Sequence, residues 1–184
     1  MCNFLSGIGF KNGDVYTSPY TDRHEYMIAD LGLNDNGSAL QNWIRCEYSS
    51  HDLTDINSYQ LIIDEPSAPA WVTTELKNQW GKELKSRAEK CILVTGEKKI
   101  LLGGKWVVGG DVKINNVINS QIVFCGGNAS ITGVGDNASI TGVRDNASIT
   151  GVWGNASITG VWGNASITDV GGNASITDDK RIKI

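Results

Sequence analysis

A nine-residue motif, Asn-Ala-Ser-Ile-Thr-Gly-Val-Trp-Gly with small variations, constrains this chain more than any other feature of its sequence. A fixed short period of this kind is typical of repeat proteins, in which stacked copies bury one continuous core. The motif occurs six times without a gap, beginning at Asn128, Asn137, Asn146, Asn155, Asn164 and Asn173.

Within each copy, apolar and polar residues alternate in the manner of a β-strand. Ala138 and Ile140 are two residues apart and share one face of an extended chain. The β-branched residues favour strands, and the frequent glycines disfavour a helix. We interpret the glycine before each Val, such as Gly142, as a corner. The sequence therefore predicts a parallel β-solenoid over residues 104–179, with Ala, Ile and Val inside and Asn, Ser and Thr at corners and outside.

Electrostatics predicts how many copies form one coil. If nine residues closed a coil, Asp136 would lie about 4.8 Å from Asp145, the spacing of paired strands, and like charges so placed repel. If two copies close a coil, these carboxylates lie on opposite sides. Arg144 then lies beside Trp162, where a cation–π contact can form. We predict two copies per coil, with free drift of the variable positions as the alternative explanation of the charge pattern.

The array resembles the short-repeat parallel β-helix proteins, also called β-solenoids, over residues 104–179. This resemblance implies a fold and no ligand. The calcium-binding nonapeptides of such proteins have an aspartate two residues before the apolar position, where this chain has Ala129, Ala138 and Ala147. Because the carboxylate that would complete a calcium cage is missing, no cofactor is predicted.

Residues 1–103 precede the array and predict a small α+β domain, in which one sheet carries two helices. Asn12-Gly13 predicts a hairpin turn between the first two strands. Asp22, followed three residues later by Glu25, predicts the start of the first helix. Apolar residues four apart predict a long second helix over residues 71–91. Strands are predicted at residues 3–10, 14–17, 43–48, 60–63 and, as a short pair, within 92–104.

The two ends of the array differ from its regular copies. Val112, Ile114 and Val117 occupy the Ala, Ile and Val places of a degenerate first copy. Irregular end copies are expected in a solenoid, because a bare end would expose its core and its strand edges. Residues 180–184 are predicted to form a C-terminal cap or tail.

The charge distribution argues against direct binding of nucleic acid. Residues 1–103 carry 10 Lys and Arg against 14 Asp and Glu, and residues 104–177 carry 3 against 4. Neither part has a basic footprint. No segment approaches the roughly 20 apolar residues that span a bilayer, and the N-terminus does not resemble a secretion signal. The sequence therefore predicts a cytoplasmic protein without membrane contact.

Cys2 is the strongest candidate for a catalytic residue. If Met1 is removed, Cys2 carries a thiol and a free α-amine at the start of a strand, which resembles the arrangement in N-terminal-nucleophile hydrolases. The resemblance covers only this first strand and implies an amidohydrolase or a transferase. The alternative is a small buried or capping cysteine.

Asp22 and His24 are the further catalytic candidates, although a separation of two residues does not place them on one helix face. The chain has two histidines, without the paired spacing of metal-ligating residues, and no Cys-x-x-Cys motif. The sequence therefore predicts no metal site.

The repeats offer a different kind of site, since a unique catalytic residue cannot lie in a unit that is copied six times. The array must act through length, shape or multiplicity. Rows of hydroxyl groups and a few larger side chains are predicted to bind, namely Ser139, Thr141, Ser148, Thr150, Ser157, Thr159, Arg144, Trp153 and Trp162.

The leading functional hypothesis is a non-enzymatic binding or scaffold protein that recognises a protein partner and uses the solenoid as spacer or interaction surface. Self-association into a homo-oligomer is a further partner hypothesis. The alternatives are a Cys2-dependent amidohydrolase or transferase, a rod-like mimic of DNA, and a binder of an ice-type lattice, which a flat hydroxyl array could match.

Overall fold

The computed structural model describes residues 4–35 and 42–181, and it divides into two compact units, Met1–Lys90 and Cys91–Ile184. An antiparallel sheet and two helices form the N-terminal unit. The C-terminal unit is a parallel β-solenoid of about five coils. This architecture confirms the predicted order of an α+β domain followed by a solenoid.

Four antiparallel strands form the N-terminal sheet, in the order β2-β1-β3-β4. Gly13, with φ 98°, lies in the predicted turn between β1 and β2, where Asn12 Oδ1 accepts a hydrogen bond from Asp14 N at 3.1 Å. The third strand is central, because it pairs with both β1 and β4. The strands are β1 Leu5–Phe10, β2 Val15–Tyr16, β3 Trp43–Ser49 and β4 Gln60–Ile63.

The two helices are α1, His24–Asp30, and α2, Thr74–Cys91, and they pack on opposite faces of this sheet. Met27 of α1 joins Ile8 in one buried cluster. On the other face, a methyl carbon added to Gly9 would lie 2.9 Å from the ring of Trp80 in α2. Successive residues of a strand point to opposite faces, so Ile8 and Gly9 separate the two packing layers.

The first helix, α1, begins close to the start predicted at Asp22. Arg23 occupies the N-cap position, and no side chain caps the helix there. The N–H of Arg23 donates to Thr21 Oγ1 at 3.1 Å instead. The predicted helix is present, and it begins slightly later than Asp22, because Arg23 occupies the N-cap position.

Two parallel sheets form the solenoid, and their strands alternate along the chain. The even sheet contains β6, β8, β10, β12 and β14, and the odd sheet contains β5, β7, β9, β11, β13 and β15. Pairing aligns Ser130 with Ser148 in the even sheet and Ser139 with Ser157 in the odd sheet. The strands are β5 Ile92–Leu93, β6 Glu97–Leu102, β7 Lys105–Val108, β8 Lys113–Ile118, β9 Gln121–Cys125, β10 Ser130–Gly135, β11 Ser139–Val143, β12 Ser148–Val152, β13 Ser157–Val161, β14 Ser166–Ile167 and β15 Ser175–Ile176.

Parallel pairing begins earlier than residue 104, at which the sequence places the domain boundary. Ile92 pairs with Val107, and Lys98 pairs with Ile114. The two short strands predicted within residues 92–104 are therefore part of the solenoid sheets. Their sequence lacks the Asn-Ala-Ser motif, so only their pairing shows that they share the register of the array.

The predicted core residues point inward in the first four copies of the motif, whereas Val170 of the fifth copy is exposed. Ile131, Ile140 and Ile149 are at most 1% exposed, and the Ala and Val of the same copies are equally buried. The degenerate first copy follows the same register, since Ile114 pairs with Ile131 and Val117 with Val134. Apolar contact along the axis of the coils is therefore continuous from the first copy to the last full one.

The corners lie between copies, and the predicted corner before each Val is wrong. Gly142 pairs with Gly160 inside the odd sheet, so the chain remains extended through the middle of a copy. It turns at the ninth position, where φ is 54° at Asp136, 58° at Asp145 and 68° at Gly154. Glycine, and less readily Asn or Asp, adopts this left-handed conformation, which explains why the first five copies have only Gly or Asp at this position.

The last two copies end the regular pairing. Asp169 and Asp178 replace the glycine in the middle of the copy and have φ 50° and 53°, so β14 and β15 are only two residues long. Among the residues described beyond β15, Asp179 forms an isolated bridge with Val161. Part of the predicted cap over residues 180–184 lies outside the described residues and stays a prediction.

Candidate functional site

A single tryptophan covers a track of glycines on the outer face of the even sheet. Methyl carbons added at Gly133, Gly135 and Gly151 would each lie less than 3.0 Å from the ring of Trp153. Because each glycine faces different atoms of the indole, the ring lies across the backbone of both neighbouring strands. Trp153 is still 46% exposed. It is an aromatic platform held against the sheet on one side and open to solvent on the other.

A second tryptophan covers the equivalent track on the odd sheet. Methyl carbons added at Gly142 and Gly160 would lie close to the ring of Trp162. The guanidinium carbon of Arg144 lies 4.7 Å from the centroid of the same ring. This is the cation–π contact that the eighteen-residue spacing predicts. Trp162 is half-buried, so it offers a smaller platform than Trp153.

The predicted binding residues divide between the two faces. Within each copy, the Ser side chain is half-buried in the regular strands and the Thr side chain is exposed. The hydroxyl groups therefore form rows that follow the strand spacing on both sheets. Ser139, Thr141, Ser157 and Thr159 share the odd sheet with Arg144 and Trp162, whereas Ser148 and Thr150 share the even sheet with Trp153.

Asparagine side chains form hydrogen-bonded ladders along both corners. Asn146 Nδ2 donates to Asn128 Oδ1 on one corner, and Asn155 Nδ2 donates to Asn137 Oδ1 on the other, each at 3.3 Å. The next coil continues both ladders through Asn164 and Asn173, again at 3.3 Å. Because the amides bond to one another, these ladders hold successive coils together at both corners.

Of the three predicted catalytic residues, His24 alone joins a described cluster of ionisable groups. Cys2 lies outside the described residues, so its role stays a prediction. Asp22 precedes α1 and is not a member of the cluster. His24, the first residue of α1, lies beside Glu47 and Asp64, and one ligand atom from each of these three residues lies within 4.8 Å of the others.

The imidazole of His24 is fixed between two oxygen atoms. Its Nε2 lies 3.2 Å from the backbone oxygen of Cys46, and its Nδ1 lies 3.3 Å from Asp64 Oδ2. His24 is 3% exposed and Glu47 is 7% exposed, so the cluster is buried on that side. The side chain of Asp64 is 51% exposed, so the other side meets solvent.

Sequence reasoning missed Glu47 and Asp64, because they lie on elements far from His24 along the chain. Sheet pairing brings them together: Glu47 pairs with Ile62 on β4, and Asp64 N donates to Arg45 O at 3.0 Å. One signal was present in the sequence. Arg45 and Glu47 place two charges on one face of a strand that also carries large apolar residues, which is unusual for a side chain directed at a core.

Burial determines the chemistry of two cysteines, one in each unit. Cys46 and Cys125 are both fully buried. Burial raises the pKa of each thiol from 9.0 to about 12, because the apolar surroundings disfavour the thiolate. The Cys46 thiol also donates to Gly7 O at 3.4 Å. Neither thiol is a nucleophile at neutral pH.

These thiols are expected to make the folded chain less stable in alkali. The unfolded chain releases their protons near pH 9, whereas the folded chain keeps them until about pH 12, so the folded state binds more protons between these values. The free energy of unfolding from denaturant titrations should therefore fall as pH rises through this range. A Cys46→Ala, Cys125→Ala double variant should show a shallower fall, and equal slopes for the two proteins would contradict the assignment.

Comparisons with protein-family models, with curated proteins and with solved structures find no match to this chain. Within the described residues, neither helix combines the length and the apolar composition that a membrane span requires. The two solenoid faces and the His24 cluster are therefore the features from which a function can be inferred.

Proposed function

We propose that this protein is a non-enzymatic binding scaffold, in which the β-solenoid acts as a spacer and as an interaction surface for a protein partner. The observation that supports this function best is Trp153, whose ring is held across the glycine track of the even sheet and is 46% exposed. A large aromatic side chain that is fixed before binding is the usual anchor of a protein interface.

Fixing the ring in advance favours binding. Association normally costs about 0.5–1.5 kcal/mol for each flexible side chain that becomes ordered. Contact with Gly133, Gly135 and Gly151 already restricts Trp153 in the unbound protein. The exposed Thr side chains beside the ring supply hydroxyl groups for hydrogen bonds at the rim of the contact.

This surface suits a protein partner better than it suits an ice-type lattice or mimicry of duplex DNA. Trp153 and Trp162 interrupt the hydroxyl rows, whereas an ice-type lattice requires a flat array. A mimic of duplex DNA needs about one negative charge per 1.7 Å of its length. Residues 104–177 carry only 4 acidic against 3 basic residues, which leaves the array almost uncharged.

We infer further that two nonapeptide copies form one coil and are the unit in which the surface repeats. The register supports this inference, because paired residues of the regular copies are eighteen apart in both sheets and along both asparagine ladders. Each face then presents one Ser-Thr row per coil. The tryptophans, which belong to adjacent copies, fall on opposite faces.

The partner site is tested by the same substitution on each face. A photo-crosslinking residue in place of Thr150, which is exposed on the same face as Trp153, should give a discrete protein adduct, whose partner is then purified and titrated against the full chain. Trp153→Ala is expected to weaken that binding by at least about 2 kcal/mol, or roughly 30-fold, as for other interface anchors. Trp162→Ala, the matched control on the odd face, should leave the affinity within about twofold.

Two outcomes would contradict the proposal. Unchanged binding by Trp153→Ala would show that the platform is not the anchor. Equal weakening by both variants, together with equal loss of stability in denaturant titrations, would show that the tryptophans support the fold and do not contact a partner. Circular dichroism of both variants monitors the solenoid in either case.

A further inference from the structure

Three elements of the N-terminal unit direct ionisable side chains to one point. His24 begins α1, Glu47 lies in the central strand β3, and Asp64 directly follows β4. One ligand atom of each residue lies within 4.8 Å of the other two. The fold therefore assembles one imidazole and two carboxylates, although the sequence by itself predicts no metal site.

The contact of His24 with Cys46 O determines which of its ring nitrogen atoms carries a hydrogen. A backbone carbonyl only accepts hydrogen bonds, so the contact of 3.2 Å with Cys46 O requires that Nε2 carry the hydrogen. In the neutral ring, Nδ1 then presents a lone pair to Asp64 Oδ2 at 3.3 Å. Two electron-rich atoms at this distance need a positively charged atom between them, either a proton or a metal ion.

The distance between His24 Nδ1 and Asp64 Oδ2, and the hydrogen bond from His24 Nε2 to Cys46 O, both match a metal site. Bonds of about 2.0–2.2 Å from zinc to nitrogen and oxygen, at the tetrahedral angle, place two ligand atoms about 3.4 Å apart. The His24 Nδ1–Asp64 Oδ2 separation is 3.3 Å. Metal-binding histidines also usually donate their other ring N–H to a backbone carbonyl or a carboxylate, as His24 does to Cys46 O.

Burial and charge are compatible with a divalent ion. Glu47 is 7% exposed, whereas the side chain of Asp64 is 51% exposed, so the cluster has a buried side and a side open to solvent. The two carboxylates of Glu47 and Asp64 would balance the charge of one divalent ion bound between them.

A buried hydroxyl group supplies an independent observation. Ser6 of β1 lies directly opposite Glu47 of β3, so their side chains share one face of the sheet, with Cβ atoms about 4.5–5.5 Å apart. Ser6 is fully buried, and its Oγ has no hydrogen-bond partner among the described residues. Buried polar atoms are rarely left unpaired, so Ser6 Oγ supplies a donor for a group that binds beside Glu47.

We propose that His24, Glu47 and Asp64 bind one divalent transition-metal ion of the zinc type. Imidazole and carboxylate donors without a thiolate suit Zn²⁺, Co²⁺ or Ni²⁺. Three protein ligands leave a fourth position, and the exposed side of Asp64 opens that position to water. In the metal-bound protein, Ser6 Oγ would donate a hydrogen bond to the bound water and so act as a positioning residue.

Calorimetric titration of the full chain with Zn²⁺ tests the proposal, with Cys2 and Cys91 replaced by Ser so that thiolates do not contribute. One ion per chain is expected to bind. Asp64→Asn, at the exposed side of the cluster, should weaken binding by about 100-fold or more, and Ser6→Ala by about 10-fold. Glu25→Gln, which removes a neighbouring carboxylate outside the cluster, should change the affinity less than twofold.

The visible spectrum of bound Co²⁺ distinguishes a residue that binds the metal from a residue that only stabilises the fold. Co²⁺ bound by nitrogen and oxygen should give a visible ligand-field spectrum without the thiolate charge-transfer band, and this spectrum should disappear in Asp64→Asn. Absence of Zn²⁺ binding in a folded protein, or binding that Asp64→Asn leaves unchanged, would overturn the proposal. The His24–Asp64 contact would then be an ordinary ion pair.

Discussion

Substitution of Gly110 by alanine is expected to lower the free energy of unfolding of the solenoid by about 2–5 kcal/mol. Gly110 has φ 55°, and the added methyl carbon would lie less than 3.0 Å from the backbone oxygen of Val94. The left-handed conformation costs a residue with a Cβ about 1–2 kcal/mol, and overpacking adds about 1–3 kcal/mol. Because the obstacle is a backbone carbonyl, no side chain can rotate away to relieve it.

The effect should spread along the corner. Gly110 O accepts the N–H of Asn128 at 2.8 Å, and the same corner continues through Gly127, whose own added methyl carbon would meet the backbone of Gly110. A displaced Gly110 therefore disturbs the stacking of the next coil.

Gly103→Ala is the matched control for this prediction. Gly103 has φ 66°, and a methyl carbon added there meets no atom within 4 Å. In this variant the free energy of unfolding should fall only by the cost of the left-handed conformation, about 1–2 kcal/mol. Urea titrations followed by circular dichroism compare the two variants with the parent protein. Equal losses would show that the close approach to Val94 contributes nothing.

Replacing Ile149 with alanine should lower the free energy of unfolding of the solenoid by about 2–5 kcal/mol. Ile149 is 1% exposed and lies between Ile131 and Ile167 of the adjacent coils in the even sheet. Truncation removes apolar contacts and leaves a cavity that the neighbouring coils cannot close, because hydrogen bonds on both sides fix their spacing.

Two further variants calibrate the Ile149 result. Ile149→Val removes one carbon from the same cavity and should cost about 0.5–1.5 kcal/mol. Thr150→Ala changes the next residue, whose side chain is exposed, and should remain within about 0.5 kcal/mol of the parent. A loss in Ile149→Ala no larger than that in Thr150→Ala would contradict the burial of the isoleucine row.

The N-terminal sheet shows how much local sequence can predict. The strands and both helices follow from alternation, the Asn12-Gly13 turn and apolar residues four apart, since these signals act over a few residues. Details that depend on the surrounding structure could not be predicted from local sequence. The first helix begins at His24 with Arg23 as its N-cap residue, slightly after the predicted start at Asp22, and the corner proposed at Gly142 is wrong because that glycine pairs with Gly160 inside the odd sheet.

The candidate sites divide in the same way. Arg144 and Trp162 could be placed together from their spacing, because a periodic chain converts sequence separation directly into position. His24, Glu47 and Asp64 could not, since their meeting depends on the pairing of β3 with β4 and on the packing of α1 against Ile8.

The sequence by itself determined the solenoid, its inward Ala, Ile and Val rows and the asparagines at its corners, because each copy repeats the same local preferences and stacking adds them in register. Only the tertiary structure decided that Trp153 and Trp162 cover glycine tracks and that three separate elements enclose His24. These features arise from contacts between segments distant in the chain, whose geometry depends on how whole strands and helices pack, and no local pattern encodes that.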